Sequence, residues 1–503
     1  MRSWFIAWGV FTASTASAID LAECPVDMSF PGATRASFLN HVLTTSPVSG
    51  PRLFGIAEAP QGFALLSGFE ALSDTQTQIG DTLDGDVDDA DAGDTVRHHI
   101  TVLPTTGTAG SITLSVDLPP GFTVTTPVTV TIGDDAPFVA TGDLFAGGLT
   151  IETDLGVTAS SIQLTFDGTV PDDVSANDDL VATTHLVSID GGAVDAVSDD
   201  ATVSIDHLDL GIQLVGATTA TIRDLRTYSA TLVVPEGVQD NVVISLTLPE
   251  ELVTTGSVNA VLASGLSATG SLAGAVSGGG RQLTWNLGTV TNLDRDDQRD
   301  DTITVTFTTV VLNNAVTNAG DIAVVSGTGA TTGDTNAVAA APSLLIIEPR
   351  LRVPVTLDVA TGDAGDNVTV TMTIEHDPSS SATAFDVLAS LPIPFELINP
   401  RNLRRSSGAV PSLQEISNGI VTLTYGSLAV GTQSVIQFDA TIADTAPIGG
   451  TIPAVTETSW SSQAGTPARG STLSTESFER NGTQFPSYND YYVETSSPLP
   501  LRD

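Results

Sequence analysis

The chain contains no lysine. All seventeen of its basic residues are arginines, against 59 aspartates and glutamates. A glycine-rich phosphate loop with its lysine is therefore excluded. Cysteine is nearly absent too: Cys24 stands alone, so no intrachain disulfide can form and stability must come from packed cores or a metal. Aromatic residues make up only 5% of the chain, which leaves Val, Leu, Ile and Ala to build those cores. Positive charge is scarce overall. The net charge of −42 and a pI near 4.1 set the surface against nucleic acid and anionic headgroups. The same surface favours cations, basic partners or a saline medium. Beyond the first eighteen residues there is no long apolar run, so the sequence offers no transmembrane anchor after that point. The tail also lacks an LPxTG-like sorting signal.

What the chain does have is alternation. In Asn367-Val368-Thr369-Val370-Thr371-Met372-Thr373-Ile374 every second residue is apolar. Val368, Val370, Met372 and Ile374 then share one face and the threonines the other, as a half-buried strand requires. Thr and Val are β-branched and suit a pleated surface. Clusters of Gly, Asp, Pro and Ser punctuate such segments and supply turns. No stretch sustains a helical period. The hydrophobic fraction of 41% and positive mean hydropathy argue against wholesale disorder. Together these predict an all-β protein of tandem immunoglobulin-like β-sandwiches, three modules in series.

Residues 1–18 read as a secretory signal peptide: Arg2, an apolar run from Trp4 to Phe11, and a small-residue site at Ala16-Ser17-Ala18. Residues 19–80 read as a segment of loop and short strands, with Gly62 to Leu66 as a strand leading into the first module. The three modules are placed at 81–207, 208–347 and 348–467, and 468–503 is a tail without clear periodicity. Gly148–Val170 is laid over Gly419–Ile442, so that Phe166-Asp167 falls on Phe438-Asp439. Leu118-Pro119-Pro120-Gly121-Phe122 is matched to Leu391-Pro392-Ile393-Pro394-Phe395, and Leu248-Pro249-Glu250-Glu251-Leu252 is the second module's copy. Trp285, Phe166, Phe307 and Phe438 occupy matching strand positions and are read as core.

Two acidic runs are candidate calcium loops. In Asp84-Gly85-Asp86-Val87-Asp88-Asp89-Ala90-Asp91, the carboxylates of Asp84, Asp86, Asp88, Asp89 and Asp91 recur at spacings from which a loop can wrap a Ca²⁺ ion. The EF-hand pattern is not met, because Asp89 and Thr95 stand where Gly and Glu belong. The weaker candidate is Asp294, Asp296 and Asp297, in a loop neutralised by Arg295 and Arg299. His98 and His99 are adjacent and would point to opposite faces of a strand. Zinc-ligand spacings, a G-x-S-x-G elbow and a D-[ST]-G pair are all missing, so no enzymatic activity is expected.

The module opens with an acidic run ending in Gly-Asp (Ala92-Gly93-Asp94-Thr95, Ala364-Gly365-Asp366). It continues with a Leu-Pro element and a Leu-Gly turn at Asn286-Leu287-Gly288. In these features the chain resembles the tandem conserved repeat domain of bacterial and archaeal surface proteins. The second module has Thr227-Tyr228-Ser229 but lacks the Gly-Asp start, and the first carries Arg97-His98-His99 where the family usually has Tyr and Thr. The resemblance implies a secreted or cell-surface sandwich protein and no activity. Isopeptide cross-links, which some relatives form through lysine, are excluded here by composition. The expected role is structural or adhesive. The alternatives are an extracellular module that binds a protein or glycan, and a truncated fragment of a longer surface repeat protein. An aromatic, arginine-bearing groove would favour the binding reading.

Overall fold

The computed structural model describes residues 90–464 apart from 105–108, 156–160, 294–300, 313–315, 335–336, 360 and 447–448, together with 54–58, 63–71, 78–79, 82–83 and 491–500. Every regular element among the described residues is a β-strand. No helix there is long and apolar enough to cross a membrane.

The first sandwich uses β1 (Phe63–Ala71), β2 (Thr95–Pro104), β3 (Ala109–Asp117), β4 (Leu149–Leu155), β5 (Ile162–Thr169), β6 (Asp179–Ile189) and β7 (Gly192–Ser204). One sheet runs β1-β2-β5 with short strands at both edges, and the other runs β4-β3-β6-β7. The second sandwich repeats the plan with β8 (Asp209–Val215), β9 (Leu225–Val233), β10 (Gly237–Thr247), β11 (Gln282–Asn292), β12 (Thr302–Val311), β13 (Ser326–Ala330) and β14 (Ala337–Ala340). Its sheets are centred on β8-β9-β12 and β11-β10-β13-β14. The third is built from β15 (Asn367–His376), β16 (Ala384–Pro392), β17 (Leu397–Gly408), β18 (Ile420–Leu428), β19 (Gln433–Ile442), β20 (Thr451–Ser461) and β21 (Tyr491–Pro500). Here the orders are β15-β19-β17 and β18-β16-β20-β21.

Three hydrophobic clusters fill the spaces between paired sheets, within residues 65–205, 176–346 and 351–499. Alternation places them. Val368, Val370, Met372 and Ile374 of β15 are all buried, while Thr369, Thr371 and Thr373 face out. Each such aliphatic side chain contributes about 1.5–3 kcal/mol on burial. The matching aromatics are core as read: Phe166, Phe307, Phe438 and Trp285 are buried. In each sandwich the phenylalanine sits opposite the same position of the partner strand, giving His98↔Phe166, Tyr228↔Phe307 and Val370↔Phe438.

Three features differ from the sequence reading. First, β1 does not lead into the first module. It pairs with β2 along nine residues and contributes Leu65 and Phe69 to the core. Second, the tail carries β21, which pairs with all of β20 up to Trp460 and places Tyr491 and Leu499 in the third core. It stands where β7 and β14 stand in the other sandwiches. Pro498 lies opposite Pro453, a pairing tolerated because β21 is an edge. Third, the Leu-Pro elements are offset by two residues. The turn closed by Phe122 N–H to Pro119 O and by Leu252 N–H to Pro249 O is closed in the third sandwich by Leu397 N–H to Pro394 O. Pro392 is still within β16. A two-residue offset preserves which side chains face the core, so the sequence pattern could not show it.

Candidate functional site

The signal segment and seven of the eight candidate calcium aspartates (Asp84, Asp86, Asp88, Asp89, Asp294, Asp296 and Asp297) lie outside the described residues. Asp91 lies inside and is fully buried. Its backbone N–H donates to Asp94 Oδ2 at 3.0 Å, and the Asp94 N–H returns to Asp91 O at 3.1 Å. Among the described residues no three His, Cys, Asp or Glu side chains are grouped to hold a metal.

That pair of bonds defines a recurring turn. Asp178, Asp224, Asp321 and Asp366 likewise accept the N–H three residues back, from Ser175, Thr221, Asn318 and Asp363, at 2.9, 2.9, 2.6 and 2.9 Å. The third residue of each turn has positive φ: Gly93 88°, Asn177 62°, Arg223 72°, Gly320 95° and Gly365 91°. Its N–H crosses to a carbonyl elsewhere in the fold: Val170, Asp206, Val311, Ile346 and Ile442 respectively. The aspartate of the Gly-Asp signature is thus a backbone cap. The second sandwich has this turn after all, built as Thr221-Ile222-Arg223-Asp224. The signal was the aspartate, and the glycine was only the least strained way to reach positive φ.

Two of these turns, 175–178 and 221–224, lie at the joints between sandwiches. At the first joint Val238 N–H donates to Val174 O at 2.9 Å and Ser175 Oγ to Val238 O at 3.0 Å. Ala176 N–H donates to Gln239 Oε1 at 2.7 Å, and Leu208 N–H to Asp334 Oδ2 at 3.1 Å. Gly237 has φ 126°, and a Cβ there would collide with the Val174 carbonyl oxygen. At the second joint Gln463 Nε2 donates to Asp224 Oδ1 at 2.6 Å and Ser462 Oγ to Ile222 O at 3.4 Å. Trp460 Nε1 donates to Pro349 O at 3.1 Å, fastening the linker to the third sandwich. Beside this joint is a cleft of about 700 Å³ whose lining includes Glu348, Arg350, Trp460, Tyr491 and Tyr492. Trp460 and Tyr491 stack on each other, 5.6 Å apart and 4° from parallel, so one face of each ring is already taken by the other.

The first core holds an unusual group. His98 is fully buried, stacked on Phe69 at 4.7 Å and edge-on to Phe166 at 4.9 Å. Neither ring nitrogen finds a hydrogen-bond partner among the described residues. Burial, with a smaller contribution from His99, pushes its pKa down to about 3, so it is neutral. His99 points to the other face, as alternation requires. Between the two sheets of this sandwich, Asp199 accepts from Ser67 N–H at 2.5 Å and Ser67 Oγ at 2.8 Å. Burial nonetheless raises the Asp199 carboxyl to about 6. In the second sandwich Tyr228 takes the histidine's place, stacks on Phe307 at 5.5 Å, and is pushed up to about 12 by burial.

These features define a class: a tandem all-β sandwich protein whose joints are bonded directly from one sandwich to the next. No family model matches the chain, and no curated protein matches it. Among solved structures it is similar to the major pilin subunit BcpA of Bacillus cereus, at 10% identity and TM-score 0.24, covering 79% of this chain and 94% of that one. It is similar to the adhesin FdeC of Escherichia coli, at 11% identity and TM-score 0.19, covering 89% and 99%. A third similarity is to a Corynebacterium diphtheriae protein described as membrane anchored, at 10% identity and TM-score 0.20, covering 88% and 92%. None of the three superposes on the chain as a whole.

Proposed function

We propose that the chain is a non-catalytic structural or adhesive element, secreted or held at a cell surface, that spaces and displays its sandwiches as a stiff rod. The observation that supports this most is the bonding of the joints. Each uses a capped turn of one sandwich and a glutamine side chain of the next, Gln239 on Ala176 and Gln463 on Asp224. A flexible linker would leave such groups to water. Small-angle scattering of the full chain tests it. A stiff rod gives a single maximum dimension that does not change with ionic strength. The Gly237→Ala variant, whose methyl group meets Val174, should broaden that distribution. A broad distribution already present in the unaltered chain would overturn the reading.

Calcium bound by the Asp84–Asp91 run, beside the buried first turn, is part of the same proposal. A Ca²⁺-specific rise in unfolding temperature over Mg²⁺ at equal ionic strength supports it, and equal responses reject it. At about a hundred times Kd the stabilisation would be about 2.7 kcal/mol. A second reading, capture of an extracellular protein or glycan, draws on the cleft at the second joint, which is lined by Arg350 and Tyr492. Loss of glycan or protein capture in an Arg350→Ala variant that keeps its joint would favour it.

A further inference from the structure

β20 runs from Thr451 to the second joint, where Trp460 is fastened to the linker. The opposite end of the third sandwich, beside Thr451, has the same build as the end of the second sandwich that the second joint covers. There Arg223 N–H donates to Val311 O at 2.8 Å, Val311 N–H to Asp224 O at 3.1 Å, and Leu312 N–H to Glu251 O at 2.8 Å. The third sandwich repeats all three bonds. Gly365 N–H donates to Ile442 O at 2.9 Å, Ile442 N–H to Asp366 O at 2.9 Å, and Ala443 N–H to Glu396 O at 2.8 Å. Turn 363–366, the end of β19 and turn 394–397 are thereby bonded into one surface. On the second sandwich the matching turn lies under Ser462 and Gln463. On the third, Asp363, Ala364, Gly365 and Asp366 are all exposed.

The groups that satisfy the covered end are missing from the bare one. Asp224 meets Arg226 at 3.0 Å and receives Gln463 Nε2 at 2.6 Å. Val368 stands where Arg226 does, two residues after the capping aspartate. Among the described residues Asp366 accepts only the Asp363 N–H of its own turn, at 2.9 Å. Beside it Glu396 is 4% exposed, and its Oε2 is enclosed without a hydrogen-bond partner among the described residues. A carboxylate oxygen withdrawn from water without a donor is costly. The offset of the Leu-Pro element adds an apolar group. Leu397 closes the turn as Phe122 does and fills the core, which leaves Phe395 outside at 72% exposure. Ile398 of β17 and Ile420 of β18 are exposed nearby, the latter next to Gly419, whose carbonyl receives Ile393 N–H at 2.8 Å. No three carboxylates are grouped here to hold a metal, so each is open to a donor singly.

We propose that this end of the third sandwich docks a basic protein, one that presents an arginine or lysine beside an apolar side chain. The cation takes at Asp366 the place that Arg226 holds at Asp224, a second donor satisfies Glu396, and the apolar side chain covers Phe395. Charge complementarity names the occupant. The chain carries a net charge of −42, and Asp363, Asp366, Glu396 and Asp444 all lie at this end. Arg401, at its margin, is bonded to Asn367 Oδ1 and Thr441 Oγ1. A second copy would bring the same sign of charge and be repelled. An apolar anchor flanked by a charge-assisted bond is the pairing that carries most of the energy of protein interfaces. The proposal goes beyond the stiff-rod reading, which concerns the two internal joints and stands whether or not this end is occupied.

Titration of the full chain with the peptide acetyl-Arg-Trp-Arg-amide, read by calorimetry and by amide hydrogen exchange, tests it. Protection is expected at 363–366, 394–398 and 441–444. The dissociation constant should rise by about tenfold in Asp366→Asn, in Glu396→Gln and in Phe395→Ser. Asparagine keeps an oxygen to cap the turn and Phe395 is exposed, so these chains fold, as unaltered melting confirms. Acetyl-Arg-Gly-Arg-amide, with the same charge and no aromatic ring, should bind about tenfold more weakly. Asp135→Asn, at an exposed position of the first sandwich, should change nothing. Protection spread over acidic segments throughout the chain overturns the proposal, as do equal binding of the two peptides and binding indifferent to the three substitutions. Self-association in sedimentation velocity that Phe395→Ser abolishes also overturns it, by assigning the end to a second copy.

Discussion

The first and second sandwiches set the same phenylalanine against different partners. Phe166 faces His98 and Phe307 faces Tyr228, at one register position of one sheet plan, and in the third sandwich Phe438 faces Val370. The phenylalanine and the alternation around it carry the core, while the partner is free to vary in polarity. That freedom has a cost. His98 buries two ring nitrogens and Tyr228 a hydroxyl that find no partner among the described residues, where Val370 buries none. Of the three cores, the first is the one whose stability is tied to protonation between pH 6 and 4.

The largest effect that would break the comparison is loss of the shared residue. Phe166→Ala, Phe307→Ala and Phe438→Ala should each cost about 3–5 kcal/mol. Amide hydrogen exchange on β2, β9 and β15 would read each sandwich separately. A loss confined to one or two of them would show that the plan is not shared at its centre.

The next effect sharpens it through pH. His98 has a folded pKa of about 3 against an ordinary 6.5, so the unfolded chain binds the extra proton and stability falls as pH drops from about 6.5 towards 3. Asp199 runs the other way. Its folded value of about 6 against 3.8 means the folded chain binds the proton, so stability rises as pH drops from about 6 to 3.8. Between pH 6 and 4 the two should nearly cancel. His98→Phe should unmask the rise and Asp199→Asn the fall, each up to about 3 kcal/mol over that range. Exchange protection of β2 measured at pH 6, 5 and 4 checks both signs. The second and third sandwiches, lacking this pair, should not follow.

The smallest effect concerns the capped turns. Gly365→Ala meets no neighbouring atom, so its expected cost of about 1 kcal/mol is that of the backbone alone at φ 91°. Arg223→Gly should stabilise the second sandwich by about 0.5 kcal/mol, because relief at φ 72° outweighs the added freedom of the unfolded chain. Paired melting curves of the two variants would show whether the turns are equivalent.

The all-β character, the tandem sandwiches and the core phenylalanines were legible because period-two alternation and β-branched residues report directly on a half-buried sheet. Other features were hidden for physical reasons. β17 carries three register breaks, which erase the alternation that would have marked it as a strand. β21 pairs as an edge, with its burial concentrated at Tyr491, Ser497 and Leu499 rather than on every second residue. The turn of the second sandwich was hidden because Arg223 stands where glycine was expected. The acidic run at the head of the first sandwich invited a metal reading; the one aspartate of it that is described, Asp91, enters its turn through its backbone N–H and carbonyl, and the capping carboxylate is that of Asp94, outside the run. Nothing in the sequence separated a carboxylate that caps a backbone from one that could bind an ion.

The pairing of β21 with β20 has a consequence for synthesis. The last strand of the third sandwich is separated from its partner by residues 462–490, so it leaves the ribosome well after the rest of that sandwich. Until then Trp460, Ile452 and Ala454 border an open edge whose backbone donors and acceptors have no neighbour on that side. The nascent third sandwich must therefore wait, exposed to any extended segment that passes, while the first two can already have closed. A chaperone that shields strand edges, or slow translation of residues 462–490, would matter most at this sandwich.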